Sequence, residues 1–264
     1  MGMMSSVLTI AGSDSGGGAG VQADLKTFAV YGMHGLSAIA ALTAQNTQGV
    51  RAVHVPPVAF LRAQIDALFE DFQIEAVKIG MLASAEVVEV VADALTRHRP
   101  KHVVLDPVMI ASSGARLLDG GALNVLRKKL FPLATVLTPN IPEAELLLDR
   151  KIADADAASR ALDELLALGP QAVLLKGGHL DEGDSVVDRL AEGRQRVEFR
   201  HPRLDQQGHG TGCTLSSAIA ASLASGMNLR EVCEDAIDYV FGALKRAYHP
   251  GRGQLAVLDH LWRR

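Results

Sequence analysis

The sequence is poor in cysteine and aromatic residues and has no large excess of one charge. Cys213 and Cys233 are the two cysteines among 264 residues, too few for a disulfide framework, and they fit a reducing compartment. Lys and Arg number 26 against 30 Asp and Glu, a net charge of −4. This balance argues against a nucleic-acid-binding protein, which normally presents a basic face, and against a polybasic membrane-surface protein.

Long apolar runs and an N-terminal secretion signal are also missing. The best apolar run, residues 218–224, is short and contains Ser222, so we expect no membrane span. Residues 1–10 contain no basic side chain, unlike a secretory signal. We therefore expect a cytoplasmic protein without membrane or nucleic-acid partners. The length and the apolar fraction of 48% allow a large core, in one α/β domain or two smaller domains.

Short apolar runs alternate with amphipathic stretches along most of the chain, which predicts βαβ units and a mostly parallel sheet. Ligands of such sheets bind beyond the carboxyl ends of the strands, so the residues that follow each strand are the candidates for chemistry. The predicted strands are 7–11, 36–43, 76–79, 102–105, 135–137 and 172–175, with a hairpin over 185–190 and 196–200. The predicted helices are 21–31, 58–69, 85–97, 122–130, 142–148, 156–168, 214–225 and 230–248.

The first strand is followed by a glycine-rich loop, residues 12–20, in which five of nine residues are glycine. Such a loop lets the backbone approach a ligand, and the amides of the helix that follows favour an anion or a polar group. The loop fits neither the dinucleotide fingerprint nor the P-loop, since Gly18-Ala19 stands where Lys-Ser/Thr is required. A flexible turn without a ligand explains the glycines equally well.

The loops after the next three strands each offer one candidate. Gln45 carries an amide that can donate to and accept from a heterocycle, although a solvated loop is the simpler interpretation. Met81 can form an apolar pocket wall. Asp106 can serve a metal or a polar substrate, but a lone carboxylate is weak evidence.

Two further loops pair a functional interpretation with a structural one. Asn140 and Glu143 have the spacing of a helix capping box, and their oxygens could instead hold Mg²⁺, in part through water. Lys176, followed by two glycines, could place its ammonium on phosphate oxygens or could be a surface lysine before a turn.

The sharpest local signal is residues 208–214, where small residues lead directly into a helix. Successive backbone N–H groups there predict an anion hole at the positive end of the helix dipole. Cys213 falls at the start of that helix, where a lowered thiol pKa would allow it to act as a base or nucleophile. A small buried apolar residue is the alternative for Cys213, and we interpret Cys233 as core packing.

Taken together, seven segments resemble the bifunctional hydroxymethylpyrimidine/phosphomethylpyrimidine kinases of thiamine biosynthesis, a branch of the ribokinase-like superfamily. The resemblance runs from about Val7 to about Tyr248, with the motifs in the family's order. It implies a single kinase domain over residues 1–264, with a central, mostly parallel sheet flanked by helices on both faces. The segments are residues 11–27, 42–47, 78–82, 105–109, 138–140, 176–179 and 209–214.

The resemblance also implies an activity: ATP-dependent phosphorylation of 4-amino-5-hydroxymethyl-2-methylpyrimidine, then of its monophosphate to the diphosphate. ATP and Mg²⁺ are the expected cofactors, and a homodimer the expected assembly. The implied substrate-binding residues are Gly12, Ala19, Asp24, Gln45, Met81 and Val108. The implied catalytic residues are Cys213, Lys176, Gly210, Thr211 and Gly212, with Asn140, Lys176, Gly177 and Thr211 on ATP and with Asp106 and Glu143 on the metal.

The chain departs from the family pattern at Gly208 and Asp205, before the anion-hole loop, which bears on how that loop is entered. Two alternatives stay open. A pyridoxal or pyridoxine kinase shares the fold and also phosphorylates a hydroxymethyl heteroaromatic compound, although Gln45 and Met81 favour the pyrimidine by resemblance. A non-catalytic metabolite-binding protein is the other, and the complete set of Lys176, Glu143 and Cys213 speaks against it.

Overall fold

The computed structural model describes residues 5–109, 118 and 120–264. Its elements follow the predicted alternation closely. The helices are α1 (Gly20–Val30), α2 (Val58–Asp71), α3 (Ala85–His98), α4 (Ala122–Val125), α5 (Ile141–Leu148), α6 (Ala155–Leu166), α7 (Thr211–Ala224) and α8 (Leu229–Lys245). The strands are β1 (Ser6–Asp14), β2 (His34–Asn46), β3 (Gly49–His54), β4 (Ile74–Ile79), β5 (His102–Leu105), β6 (Val136–Leu137), β7 (Ala172–Leu175), β8 (Ser185–Glu192), β9 (Gln195–Pro202), β10 (Gly208–His209) and β11 (Ala256–Val257).

The described residues form one large sheet in the order β3-β2-β1-β4-β5-β6-β7-β8-β9. The pairings from β2 to β7 are parallel, and β3, β8 and β9 are added antiparallel at the two edges. The sheet is therefore mostly parallel, as expected. Because the parallel strands run in the same direction, the loops that follow β1, β2, β4, β5, β6 and β7 meet along one edge.

The central strands bury both faces, which is why they appear in the sequence as continuous apolar runs. In β7, Val173 and Leu175 belong to the core under α2 to α6, while Ala172 and Leu174 belong to the core under α1, α7 and α8. β5 divides in the same way, with Val104 on the second face. Helices thus cover both faces of the sheet, and α7 lies on the face that it shares with α1 and α8.

Among the local differences from the sequence prediction, three have a clear physical reason. β3 was missed because its residues are half-buried or exposed and carry Arg51 and His54 instead of an apolar run. β2 continues to Asn46, three residues beyond its predicted end, because it pairs with β3. The helix predicted over 122–130 is α-helical only as far as Val125 and then widens into a π-helical turn, Leu126–Leu130, before Pro132 ends it.

Among the residues that the structure describes, we find no helix with the length and apolar character needed to cross a bilayer.

Candidate active site

The carboxyl ends of the strands open into a cavity of about 900 Å³. Loops after β1, β2 and β4 form one end of its wall, while β8, β9 and α8 form the other. Thirteen of the fifteen residues predicted for the site line this cavity. They are Gly12, Ala19, Gln45, Met81, Asp106, Val108, Asn140, Glu143, Lys176, Gly210, Thr211, Gly212 and Cys213.

The middle of the cavity holds one ammonium between two carboxylates. Lys176 follows β7, and its Nζ lies 3.0 Å from Oδ1 of Asp106, which follows β5. The same nitrogen lies 3.9 Å from Oε2 of Glu143 in α5. Burial opposes the charge of Lys176, but Asp106 and Glu143 outweigh it and raise the pKa of the lysine. Lys176 is therefore a half-buried, charged group inside the cavity, not the surface lysine of the alternative interpretation.

Asn140 and Glu143 form the capping box that their spacing predicts. The Asn140 side chain accepts from the Glu143 amide, and the Glu143 carboxylate accepts from the Asn140 amide, both at 2.8 Å. One oxygen of each side chain is thus committed to the start of α5. Burial, with the nearby charge of Asp106, raises the pKa of Glu143 to about 7, against the attraction of Lys176. A cation near Glu143 would favour its ionised form.

Asp106 and Glu143 offer a hard cation two carboxylates, and Mg²⁺ usually binds one or two carboxylates together with water and substrate phosphates. Among the described residues, no three His, Cys, Asp or Glu side chains gather around one point. Phosphate oxygens and water would have to complete the coordination. The carboxylate pair therefore fits a cation that arrives with a phosphorylated ligand.

The loop before α7 faces this charged cluster. Gly210 is the N-cap of α7 and has a φ of 85°, a left-handed conformation that favours glycine. A Cβ at Gly212 would lie 3.0 Å from Nζ of Lys176 and 3.4 Å from Oδ2 of Asp106. Thr214 is the residue whose amide begins the helical pattern, donating to the Gly210 carbonyl. The amides of residues 211–213 precede it and are the groups that an anion at the helix start would use.

Cys213 lies in the first turn of α7 as predicted, but its predicted electrostatics were wrong. We expected the helix start to lower the thiol pKa. Burial dominates instead and, with the nearby acidic side chains, raises the pKa of Cys213 to about 11, although Lys78 opposes this. At neutral pH Cys213 is therefore a thiol and not a thiolate.

The end of the cavity next to β1, β2 and β4 is formed by the loops in which the sequence predicted substrate-binding residues. Gly12 packs against Met81, because a Cβ at position 12 would lie 3.0 Å from the Met81 sulfur. Val108 completes this apolar side. Gln45 provides the amide: its Oε1 lies 3.1 Å from the Thr43 hydroxyl. An apolar slot with one amide suits a flat heteroaromatic ring.

The glycine-rich loop after β1 differs from the prediction in one important respect. Its amides do not await an external anion, because the Asp14 carboxylate already accepts from the amides of Gly16, Gly18 and Ala19 at 2.8, 3.0 and 2.9 Å. The loop is therefore folded around its own carboxylate. The start of α7 remains the candidate for an anion hole in this cavity.

Asp24, predicted to contact the substrate, lies behind the cavity wall. Its carboxylate is fully buried and accepts from Thr9 at 2.6 Å, from Ser217 at 2.7 Å and from Lys78 at 2.9 and 3.0 Å. With these partners Asp24 ties α1, β1, β4 and α7 together. The prediction of a direct substrate contact is wrong, because the Asp24 carboxylate pairs with the buried Lys78 ammonium, which the sequence did not reveal.

Gly177, predicted to bind ATP, also lies outside the cavity wall. Its amide donates to Oδ1 of Asp188 at 2.7 Å, and a Cβ there would meet the Val187 carbonyl oxygen at 2.0 Å. Gly177 is thus required for the close approach of β8. The next residues, Gly178 and His179, line the cavity instead.

Several residues of the cavity were not predicted. Lys78 is fully buried in β4, yet its end reaches the wall next to Asp106 and Cys213. His201 and Phe241 lie at the other end, with ring centroids 5.6 Å apart. A lysine inside a strand could have drawn attention, since buried strands rarely hold an unpaired charge. Nothing in the sequence indicated that α8 would form part of the cavity wall.

Comparison with known proteins places this geometry in a family. The profile of the family described as "Phosphomethylpyrimidine kinase" matches residues 14–258. The "Thiamine biosynthesis bifunctional protein ThiED" of Geobacter sulfurreducens is 52% identical over 94% of this chain, which spans about half (51%) of that relative. A "Hydroxymethylpyrimidine/phosphomethylpyrimidine kinase" of Streptomyces coelicolor is 46% identical over 97% of this chain and 94% of the relative.

Solved structures show the same architecture. An ADP complex of Bacillus subtilis pyridoxal kinase superposes with a TM-score of 0.90 at 33% identity, covering 98% of each chain. The mostly parallel sheet with helices on both faces is thus the ribokinase-like fold that the sequence led us to expect.

Proposed function

The chain belongs to the phosphomethylpyrimidine kinase family, and we propose that the cavity at the carboxyl ends of its strands is where it carries out the family's reaction. That reaction is the ATP-dependent phosphorylation of 4-amino-5-hydroxymethyl-2-methylpyrimidine and then of its monophosphate. One observation carries the assignment of the cavity: Lys176, Asp106 and the start of α7 meet between an apolar acceptor slot and a second open end.

The acceptor ring fits the slot between Gly12, Met81 and Val108, where the Gln45 amide can form a hydrogen bond to a ring heteroatom. The nucleotide then occupies the end formed by β8, β9 and α8, near His201 and Phe241. The transferring phosphoryl group passes between the two ends, beneath the first amides of α7.

Phosphoryl transfer depends on positioning and on neutralising charge more than on covalent chemistry. The Lys176 ammonium and the amides of residues 211–213 provide positive potential at the centre of the cavity. Asp106 and Glu143 would hold Mg²⁺, which when bound neutralises charge on the phosphate oxygens. Asn140 orients Glu143 through the capping box.

We expect Cys213, which lines the cavity, to contact the acceptor hydroxyl group. Because its pKa is about 11, it is a poor ready-made base at neutral pH. We expect the thiol to orient the hydroxyl through a hydrogen bond. A loose transition state places little demand on early removal of the hydroxyl proton.

A pyridoxal kinase is the second candidate. The TM-score of 0.90 to the Bacillus subtilis pyridoxal kinase favours it, and pyridoxal also carries a hydroxymethyl group on a heteroaromatic ring. Sequence identity is higher to the pyrimidine kinases, 46–52% against 33%. The pyrimidine alcohol is therefore the first substrate to test.

The test is a coupled assay with purified protein, ATP, Mg²⁺ and either the pyrimidine alcohol or pyridoxal, with mono- and diphosphate quantified separately. We expect both phosphorylated pyrimidines to form and pyridoxal to be the poorer substrate. Turnover of pyridoxal without turnover of the pyrimidine would assign the alternative function. Absence of ATP consumption with either alcohol would indicate a binding protein.

We also propose two properties that follow from the resemblance to the family: a homodimer and a cytoplasmic location. Light scattering of the purified protein tests the first, and fractionation of the source cells tests the second.

A further inference from the structure

Two glycine-containing loops that approach the acceptor slot from different parts of the chain touch each other directly. The first is residues 14–20, from the last residue of β1 to the first residue of α1, and the second is residues 208–212, from β10 into the first turn of α7. A Cβ at Gly18 would lie 2.7 Å from Cδ2 of His209, and one at Gly210 would lie 2.0 Å from the Gly18 carbonyl oxygen. At position 210 the backbone contact and the φ of 85° require glycine, and at position 18 a larger residue would have to displace the His209 ring.

One hydrogen bond between side chains joins these loops. Nε2 of His209 lies 3.1 Å from Oδ2 of Asp14, and both side chains are largely buried. The same Asp14 carboxylate accepts the amides of Gly16, Gly18 and Ala19. Burial alone would raise the pKa of Asp14, but hydrogen bonds from His209 and these amides lower it below its usual value. Asp14 is thus an internal anion that both loops fold around.

His209 also contacts the predicted acceptor residue. Its Nε2 lies 2.9 Å from Nε2 of Gln45, whose Oε1 lies 3.1 Å from the Thr43 hydroxyl. One ring nitrogen cannot donate to Asp14 and accept from Gln45 at the same time. The charged carboxylate is the stronger partner, so the Nε2 proton belongs to Asp14. Two N–H donors cannot face each other at 2.9 Å, so the Gln45 amide then turns its oxygen toward His209 and its nitrogen toward Thr43, whose hydroxyl donates to the Ser13 carbonyl. In that tautomer Nδ1 bears a lone pair; this atom is buried and has no hydrogen-bond partner among the described residues.

We infer that Asp14 and His209 form a clasp that fixes the acceptor loop against the anion-hole loop, and that His209 is a positioning residue for phosphoryl transfer. The inference rests on the proposed function for its kinetic consequence. Small displacements between acceptor and phosphoryl group are costly, because the rate depends on reacting atoms held at near-attack distance. His209 acts through Asp14 and the loop backbone and needs no contact with the transferring group.

The kinetic test compares the parent protein with H209A, H209Q, D14N and the double variant D14N/H209A. Loss of the clasp should lower kcat by roughly 10-fold to 100-fold while the KM for ATP changes by less than about threefold. H209Q places an amide nitrogen near the position of Nε2 and should recover most of the loss. The double variant should be no slower than the slower single variant, because both changes break one interaction. H54A, at an exposed histidine on β3, is the matched control.

Additive losses in the double variant, or a kcat in H209A within about twofold of the parent, would overturn the inference. So would a loss of activity that merely follows the fraction of unfolded protein in thermal denaturation.

Nuclear magnetic resonance separates this test from that of the proposed function. The ring nitrogens of His209 should show the Nε2–H tautomer, and H209A should shift the amides of Gly16, Gly18 and Ala19. A parent protein that phosphorylates neither alcohol but shows these signals would reject the proposed function and keep the clasp; their absence would reject the clasp.

Discussion

Nζ of Lys176 lies 3.0 Å from Oδ1 of Asp106, and Gly212 lies directly against both groups. A side chain at position 212 would enter the space in which the ammonium and the carboxylate meet. Glycine at position 212 therefore lets the start of α7 approach the charged cluster without displacing the Lys176 ammonium. This relationship makes Lys176 the most direct test of the anion site.

We expect K176M to reduce turnover by roughly 10²-fold to 10³-fold, the usual loss when one stabilising donor is removed from a site of developing charge. The KM for ATP should rise more than the KM for the acceptor, because the ammonium is proposed to bind phosphate oxygens. Steady-state kinetics with each substrate varied in turn would measure both. K151M removes an exposed lysine of similar length and should behave like the parent. An unaltered dependence on ATP in K176M would contradict the phosphate role.

Glu143 should make the stability of the ligand-free protein depend on pH. Its pKa is about 7 in the folded protein and near 4.5 when unperturbed, so the folded state binds a proton more tightly than the unfolded state. Its contribution is fully favourable below about pH 4.5 and is lost as pH rises through about 7. E143Q keeps an oxygen for the capping box and cannot ionise.

The unfolding free energy of E143Q minus that of the parent should therefore be larger at about pH 8 than at about pH 5, by on the order of 2–3 kcal/mol. Urea denaturation without Mg²⁺ and nucleotide measures this difference. E145Q on the same helix is the control, because Lys151 and the Ile152 amide lower the pKa of Glu145, and the sign of its smaller pH trend is opposite. Equal differences at the two pH values would show that Glu143 does not titrate in this range.

Cys213 should react slowly with alkylating reagents despite its position at a helix start. With a pKa of about 11, its thiolate fraction near neutral pH is roughly two orders of magnitude below that of an unperturbed thiol. The rate of iodoacetamide labelling, followed by mass spectrometry, should keep rising with pH well beyond pH 9. A plateau near neutral pH would reveal a thiolate and restore the sequence-based expectation.

For the reaction itself, C213A should retain acceptor binding while turnover falls roughly 10-fold to 100-fold, because the acceptor hydroxyl loses the hydrogen bond that orients it. Calorimetry and steady-state kinetics provide the two measurements. C233S is the matched control, because Cys233 is buried in the core of α8, and its turnover should equal that of the parent. Unchanged turnover in C213A would remove the thiol from the mechanism.

The buried pair of Asp24 and Lys78 should govern stability and not acceptor recognition. D24A leaves the Lys78 ammonium buried without its partner and should cost about 3–5 kcal/mol in unfolding free energy. The double variant D24L/K78M should cost less than the sum of the single variants, because no isolated charge is left. Under conditions where D24A is folded, its KM for the acceptor should stay within a few-fold of the parent. A large rise in that KM without loss of stability would reinstate Asp24 as a substrate contact.

The order of strands and helices could be predicted because buried parallel strands leave continuous apolar runs, and the strand-end rule then led to Lys176, Asp106 and Gln45. The roles of carboxylates could not be predicted as well. Asp14 and Asp24 both lie close to the glycine-rich loop in the sequence. Only the fold shows that Asp14 accepts hydrogen bonds from three amides and that Asp24 pairs with the buried Lys78. The direction of the Cys213 pKa shift could not be predicted for a similar reason. The sequence shows that the thiol lies at a helix start, which lowers a pKa, but it does not show the burial that raises the pKa more.

Gly177 and Gly178 allow the close packing of β8 to be separated from access to the cavity. A Cβ at position 177 would lie 2.0 Å from the Val187 carbonyl oxygen, whereas one at position 178 would meet nothing within 4 Å. G177A must therefore push β7 and β8 apart and weaken the hydrogen bond from its amide to Asp188. We expect it to lose several kcal/mol of stability, the range found for overpacking and for broken buried hydrogen bonds together. G178A, one residue further along the chain, should unfold at the same temperature as the parent even though it faces the cavity. Thermal denaturation of the two variants decides the point, because equal melting temperatures would mean that Gly177 is not held against β8, and its predicted contact with ATP would again need to be considered.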